Sequence, residues 1–201
     1  MKNYILKYGI IFFLSTIFTQ ITIDSEPQIF RHQLSYDIPV FKTQNLNARV
    51  DFTARIGEFK SNSGESFVTF PENQYICYMD QFNWYMDNDE LEMENSKQAA
   101  ADINIDTDLD LSASNFFSIH PEQDSLNFGS SKAKFDVRKK RITCEKIPFI
   151  KVADSRITPD SGSIVIRRKA KIDPLENAKI LTNDITKYFN IYDAAVEIST
   201  R

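Results

Sequence analysis

Oxygen-bearing side chains recur at every second residue of "DINIDTDLDL": Asp102, Asn104, Asp106, Asp108 and Asp110. Such a row invites calcium, but a calcium loop counted from Asp102 needs a Gly at its sixth place and a bidentate Glu at its twelfth. The chain has Thr107 and Ala113 there. The same letters suit the acidic outer face of a strand whose inner face is Ile103, Ile105, Leu109 and Leu111, and that is the expectation. Two basic runs, "VRKKRI" and "IRRKAK", offer Arg138, Lys139, Lys140, Arg167 and Arg168 as contacts for anionic head groups or phosphates. Solvated turns are the favoured reading, since long charged side chains stay in water at hairpin tips. The aromatic run "YICYMDQFNWYMD" offers Tyr78, Phe82, Trp84 and Tyr85 as a candidate binding surface, although burial in a core is the favoured reading.

Catalytic chemistry is sparse. His32 and His120 are the only histidines, neither beside a Ser or Cys elbow, and five glycines hardly build a phosphate loop. Two histidines and two cysteines give no zinc spacing. Cys77 and Cys144 lie in aromatic or aliphatic surroundings, so buried free thiols are expected, with one disulfide as the alternative. The chain reads as a non-enzyme without a cofactor.

The elements that must position these residues are strands. Apolar residues alternate through Ala48, Val50 and Phe52, through Val68 and Phe70 (or Phe67 and Thr69), and through Ala133, Phe135 and Val137. The pattern continues at Ile142 and Cys144, Ile150 and Val152, Ile164 and Ile166, and Ala170 and Ile172. "SNSGES", "PDSGS" and "IDP" break it with turn chemistry, and seven scattered prolines leave little room for long helices. Residues 89–102, "DELEMENSKQAAAD", have helix-forming composition without a continuous apolar face, so they read as a loop or short helical turn. Residues 175–192 fit either period; their β-branched content favours a strand.

At 201 residues the chain can bury a substantial core, and its 16 Phe and 8 Tyr suit pleated, half-buried surfaces. A net charge of −4 argues against nucleic acid as a partner. The N-terminus has Lys2 and Lys7, then an apolar run from Tyr8 to Phe18, with no charge until Asp24. This fits a secretory signal and falls short of a bilayer span, although no small-x-small cleavage site follows. The expectation is an exported protein, periplasmic or associated with the outer membrane, with an uncleaved N-terminal anchor as the alternative. Residues 1–23 are then signal or anchor (or a non-native start), 24–125 a first β-repeat unit and 126–201 a second, truncated one.

The repeat rests on "ARVDFTARIGEFKS" from Ala48 and "AKFDVRKKRITCEK" from Ala133, with a partial echo in "AAVEI" from Ala194. The rhythm "AKFD…RKKRITCE…IKVADSRITPDSGSIVI…KAKI" resembles the OstA-like β-jellyroll family of lipopolysaccharide-transport proteins, and also large exported β-repeat proteins of envelope-bearing bacteria. The resemblance covers roughly Asn45 to Ile180. "YICYMDQFNWYMDNDELEM" departs from it in being more aromatic and acidic. The resemblance implies an open, twisted jellyroll whose apolar interior cradles acyl chains, and it lends no catalytic residues. The fold class expected is all-β, an open β-jellyroll or stacked antiparallel β-repeat, elongated. The function expected is a non-catalytic envelope scaffold or a carrier of lipid or lipopolysaccharide, with neighbouring β-repeats as partners. An extracellular glycan- or protein-binding β-domain is the alternative.

Overall fold

The alternation becomes two facing antiparallel sheets. The computed structural model describes residues 20–23, 28–30, 39–62, 66–95, 114–124, 126–183 and 189–199. Its strands are β1 (Gln20–Ile23), β2 (Gln28–Phe30), β3 (Phe41–Gln44), β4 (Leu46–Asp51), β5 (Ile56–Ser61) and β6 (Phe67–Phe70). They continue with β7 (Tyr75–Cys77), β8 (Gln81–Tyr85), β9 (Glu90–Glu94), β10 (Phe116–Ser118), β11 (Asn127–Phe128) and β12 (Lys132–Asp136). The last are β13 (Arg141–Glu145), β14 (Ile150–Val152), β15 (Ser155–Thr158), β16 (Ile164–Ile166), β17 (Leu175–Thr182) and β18 (Phe189–Val196). One sheet runs β1-β4-β5-β8-β9-β12-β13-β16; the other runs β18-β17-β15-β14-β11-β10-β7-β6-β3-β2. Neither sheet closes on itself, so the all-β expectation of an open sandwich or jellyroll holds. Both sheets run through the junction at 125/126, where β10 pairs with β11 and β9 with β12.

Each sheet turns one face inward, and cross-strand register stacks the inward residues in rows. Phe59, Phe82, Met93, Ala133, Cys144 and Ile164 form one row across the eight-stranded sheet. Val68, Cys77, Phe116, Phe128, Ile150 and Ile157 form its counterpart in the other sheet. All are buried, and Phe70 meets Phe135 across the two sheets with ring centroids 4.7 Å apart. A fully buried side chain of this size contributes roughly 1.5–3 kcal/mol, so these rows dominate stability. Gly57 sits where a Cβ would come within 3.1 Å of the Phe59 ring, with Trp84 alongside, so the small residue makes room for both rings.

Hairpin turns and crossovers fall on opposite sides. In the eight-stranded sheet the turns are residues 52–55, 86–89, 137–140 and 167–171; in the other they include 71–74, 119–124 and 153–154. Every one returns the chain to the sheet it came from. Each described passage between sheets, such as 78–80, 129–131, 146–149 and 159–163, lies at the other ends of the strands. One long side is therefore a covalent spine. The other, which we call the mouth, is closed by non-covalent contacts among the described residues.

The repeated Asp has a local reason. Asp51 Oδ1 accepts from the Thr53 and Ala54 amides, and Asp136 Oδ1 accepts from the Lys139 amide, so each acid caps its four-residue turn. The last residue of these turns, Arg55 or Lys140, is left-handed, as are Gln74 and Asp89 in the equivalent turns 71–74 and 86–89. Three sequence expectations change, the first at Ala170, which was read with Ile172 as part of a strand but lies buried and left-handed in the turn 167–171. Residues 90–94 form strand β9 instead of a loop or helical turn: Leu91 and Met93 point inward while Glu90, Glu92 and Glu94 line the outer face. Packing of two apolar residues overrides the helix-forming glutamates. Phe52, expected on an inner face, lies in a turn and is 54 % exposed. Residues 175–182 and 189–196 are strands, as their β-branched content suggested.

Candidate functional site

The mouth is latched near its middle by one turn. Residues 71–74, "PENQ", join β6 to β7 and reach across to the eight-stranded sheet. Asn73 is buried; its Nδ2 donates to the Lys140 carbonyl at 2.8 Å and to the Ile166 carbonyl at 3.3 Å. Its Oδ1 is buried without a hydrogen-bond partner. The Lys169 amide donates to the Glu72 carbonyl and the Ala170 amide to that of Asn73, at 2.8 and 3.0 Å. Gln123 Nε2 adds a bond to the Ala170 carbonyl at 2.9 Å. Its Oε1 accepts from Ser118 Oγ and the Tyr75 hydroxyl.

Glu72 brings the two basic runs together. Its Oε1 lies 3.6 Å from Lys140 Nζ and its Oε2 lies 3.0 Å from Arg168 Nε. The neighbouring cations have acids of their own. Arg138 pairs with Asp89 at 2.6 Å, Lys139 with Asp136 at 3.3 Å, and Arg167 with both oxygens of Asp173. The bidentate partner raises the pKa of Arg167. The expected solvated turns are thus ion-paired turns that converge on one lip of the mouth.

The aromatic candidates are not brought together. Phe82 is fully buried and Trp84 packs against the core, both on the inner face. Tyr85 turns to the outer face of the same sheet and hydrogen-bonds the Glu92 carboxylate. Tyr78 is exposed outside the opposite sheet, its ring 5.7 Å from Phe67 and 5.6 Å from Phe117. On the outer face of the eight-stranded sheet, Lys134 Nζ lies 2.6 Å from Glu92 and 3.4 Å from Glu90. The hydrogen bond from Lys134 holds the Glu92 carboxyl below its usual range.

Cys77 and Cys144 are free and fully buried on facing inner surfaces. Burial pushes both thiols well above their ordinary range, and Cys144 adds to the shift of Cys77, so neither is a nucleophile at neutral pH. His120 caps the short 3-10 turn Pro121–Gln123, its Nδ1 accepting from the Glu122 amide. The acidic row at 101–111, His32 and the apolar N-terminal run lie outside the described residues. Glu72, Asn73 and Gln123 escaped sequence reading. "PENQ" between Phe70 and Tyr75 signals a turn, but only the tertiary fold says which cations it meets.

Beyond β16 the two sheets part company. The eight-stranded sheet ends there, while β17 and β18 continue the other. Phe189, Ile191 and Tyr192 on this overhang are 61 %, 46 % and 63 % exposed, and β18 is an edge strand.

Among the described residues no helix is long and apolar enough to cross a membrane. Compared with family models and with curated proteins, the chain matches none.

Proposed function

We propose that this protein is a non-catalytic carrier of amphipathic lipid, holding acyl chains between its sheets and handing them on along the sandwich. The observation that supports this most is the combination of a continuous apolar core between the sheets with a mouth where, among the described residues, the chain makes no passage from one sheet to the other. A carrier needs a continuous apolar interior, and Phe82 and Trp84 belong to that lining, not to an exposed face. Lipopolysaccharide is the amphiphile the family resemblance points to, in an exported, envelope setting. Because Phe70 and Phe135 touch, an acyl chain enters only when the lips of the mouth separate. Trp84 is the chain's one tryptophan and sits in the lining, so it reports entry directly. Brominated acyl chains should quench its fluorescence; no quenching by any brominated lipid, with the β-rich circular dichroism spectrum intact, removes the carrier reading.

The overhang supports the second half of the proposal. An edge strand whose outer side meets no other strand among the described residues, with Ile191 and Tyr192 exposed, suits continuation by the sheet of a neighbouring β-repeat protein or a second copy. Analytical ultracentrifugation should show concentration-dependent association that Ile191→Lys suppresses; a monomer at all concentrations would remove this contact.

A second reading has its own observation. Phe67, Tyr78 and Phe117 form an aromatic group on the outer face of the ten-stranded sheet, suited to glycan or protein recognition. Tyr78→Ala should then weaken binding to a glycan array without affecting Trp84 quenching.

A further inference from the structure

The lip of the mouth carries more positive charge than its acids answer. The runs 138–141 and 167–171 hold eight cations and no carboxylate, and the acids that pair with their side chains are Asp89, Asp136, Glu72 and Asp173. The lip is therefore a cationic island in a chain of net charge −4. Glu72 alone is shared by two cations, Lys140 and Arg168, while Lys169 and Lys171 have no ion pair among the described residues. The Lys140 side chain is 14 % exposed and that of Arg168 is 62 % exposed, so the shared acid bridges an inner cation to an outer one.

We propose that Lys140, Arg168 and Lys169 form a phosphate-binding lip, and that phosphate bound there competes with Glu72 and loosens the latch. This inference rests on the carrier reading for its purpose, though not for its binding chemistry. A phosphate monoester carries nearly two charges and three acceptor oxygens, whereas Glu72 offers one charge. It can accept from the guanidinium fork of Arg168 and both ammonium groups together, which a single carboxylate on a fixed turn cannot do. Glu72 then loses both ion pairs. Its turn remains tied only by the bonds of Asn73 and of the Lys169 and Ala170 amides. The charged end of an incoming amphiphile thereby loosens the contact that keeps its acyl chains out. The shared chemistry is a phosphate group, carried either on a lipid or free in solution.

The test uses the full chain and phosphatidylcholine vesicles with or without phosphatidic acid. The first readout is vesicle co-sedimentation. Phosphatidic acid should strengthen binding about tenfold, and Lys140→Gln with Arg168→Gln should abolish that gain. Arg49→Gln with Lys60→Gln, which removes the same charge from the far end of the eight-stranded sheet, should leave it in place. If the lip variant keeps the preference, or both variants lose it equally, the lip is not the site. Inorganic phosphate titrated against the Arg168 Nε–H resonance separates the sources. A saturable shift, weakened at least several-fold in Lys140→Gln alone, supports free phosphate as a ligand. Vesicle binding without that shift supports the lipid head group. Neither effect overturns the site.

The second readout is Trp84 quenching by brominated chains. Glu72→Gln should admit brominated phosphatidylcholine several-fold faster than the unaltered protein, matching the rate the unaltered protein shows with phosphatidic acid. Quenching with phosphatidic acid that Glu72→Gln does not reproduce on neutral vesicles overturns the latch. Absence of quenching with every lipid ends the carrier reading, and the co-sedimentation and phosphate results still decide the site.

Discussion

Asn115 and Asn73 are both buried asparagines that tie one sheet to the other, yet they do so on opposite sides and in different ways. On the spine, Asn115 makes a closed set of bonds. Its Nδ2 donates to the Ser130 carbonyl at 2.7 Å and its Oδ1 accepts from the Ser130 amide at 2.8 Å. Ser130 Oγ bonds onward to the carbonyls of Lys132 or Glu145. On the mouth, Asn73 donates to two carbonyls while its own Oδ1 finds no partner. A buried network that is fully satisfied rigidifies, and one with a loose end is cheaper to dissolve. The difference teaches that one pair of sheets can be built for permanence on one side and for parting on the other. The chain passes between sheets on the side where the polar network is complete.

The largest effect tests what both sides share. Phe135→Ala removes the ring that meets Phe70 across the sheets, and urea unfolding should show a loss of about 3–5 kcal/mol. A loss of less than half that would mean the sheets are not held by their facing rows, and the comparison of sides would lose its frame. Next come the two asparagines. Asn115→Ala strands the amide and carbonyl of Ser130 and should cost about 3 kcal/mol, whereas Asn73→Ala should cost about 1–2 kcal/mol because its turn can relax toward water. Amide exchange sharpens the contrast: Asn73→Ala should speed exchange at Lys169 and Ala170 and leave Ser130 protected. Equal costs, or exchange that rises on both sides, would break the distinction.

The smallest effect belongs to the outer face. Glu92→Gln should cost less than about 1 kcal/mol, since exposed cross-strand ion pairs contribute little. Its pH dependence is nevertheless diagnostic. Because the folded carboxyl titrates below its unfolded value, its contribution is present above the ordinary carboxylate range and is lost as pH falls through the lowered folded value. The two proteins should therefore unfold alike in strong acid and differ modestly at neutral pH. A difference that persists in acid would assign the effect to packing.

Much of this architecture was legible in the period of the sequence. Ala133 with Phe135, Ile142 with Cys144, and Val68 with Phe70 announced their inner faces because a strand between water and core must alternate. Strand β9 was hidden because Glu and Met suggest a helix when their spacing is ignored. The latch was hidden for a deeper reason. Period two says which residues share a face but not which sheet a strand joins, so nothing local in "PENQ" points to Lys140 or Arg168, which lie far along the chain. The convergence of the two basic runs is a property of the winding.

That winding also constrains how the chain can change length. After each hairpin in one sheet the chain lays its next hairpin in the other, so β4–β5, β8–β9 and β12–β13 are neighbours although β6–β7 and β10–β11 intervene. Deleting one hairpin would send every later hairpin to the wrong sheet and exchange the spine's partners. Deleting or duplicating two in succession would restore the alternation and leave every lateral pairing of the same kind. Length in this architecture is quantised, with one hairpin per sheet as the unit. The similarity between the segments beginning at Ala48 and Ala133, two such units apart, is what growth by whole units would leave behind.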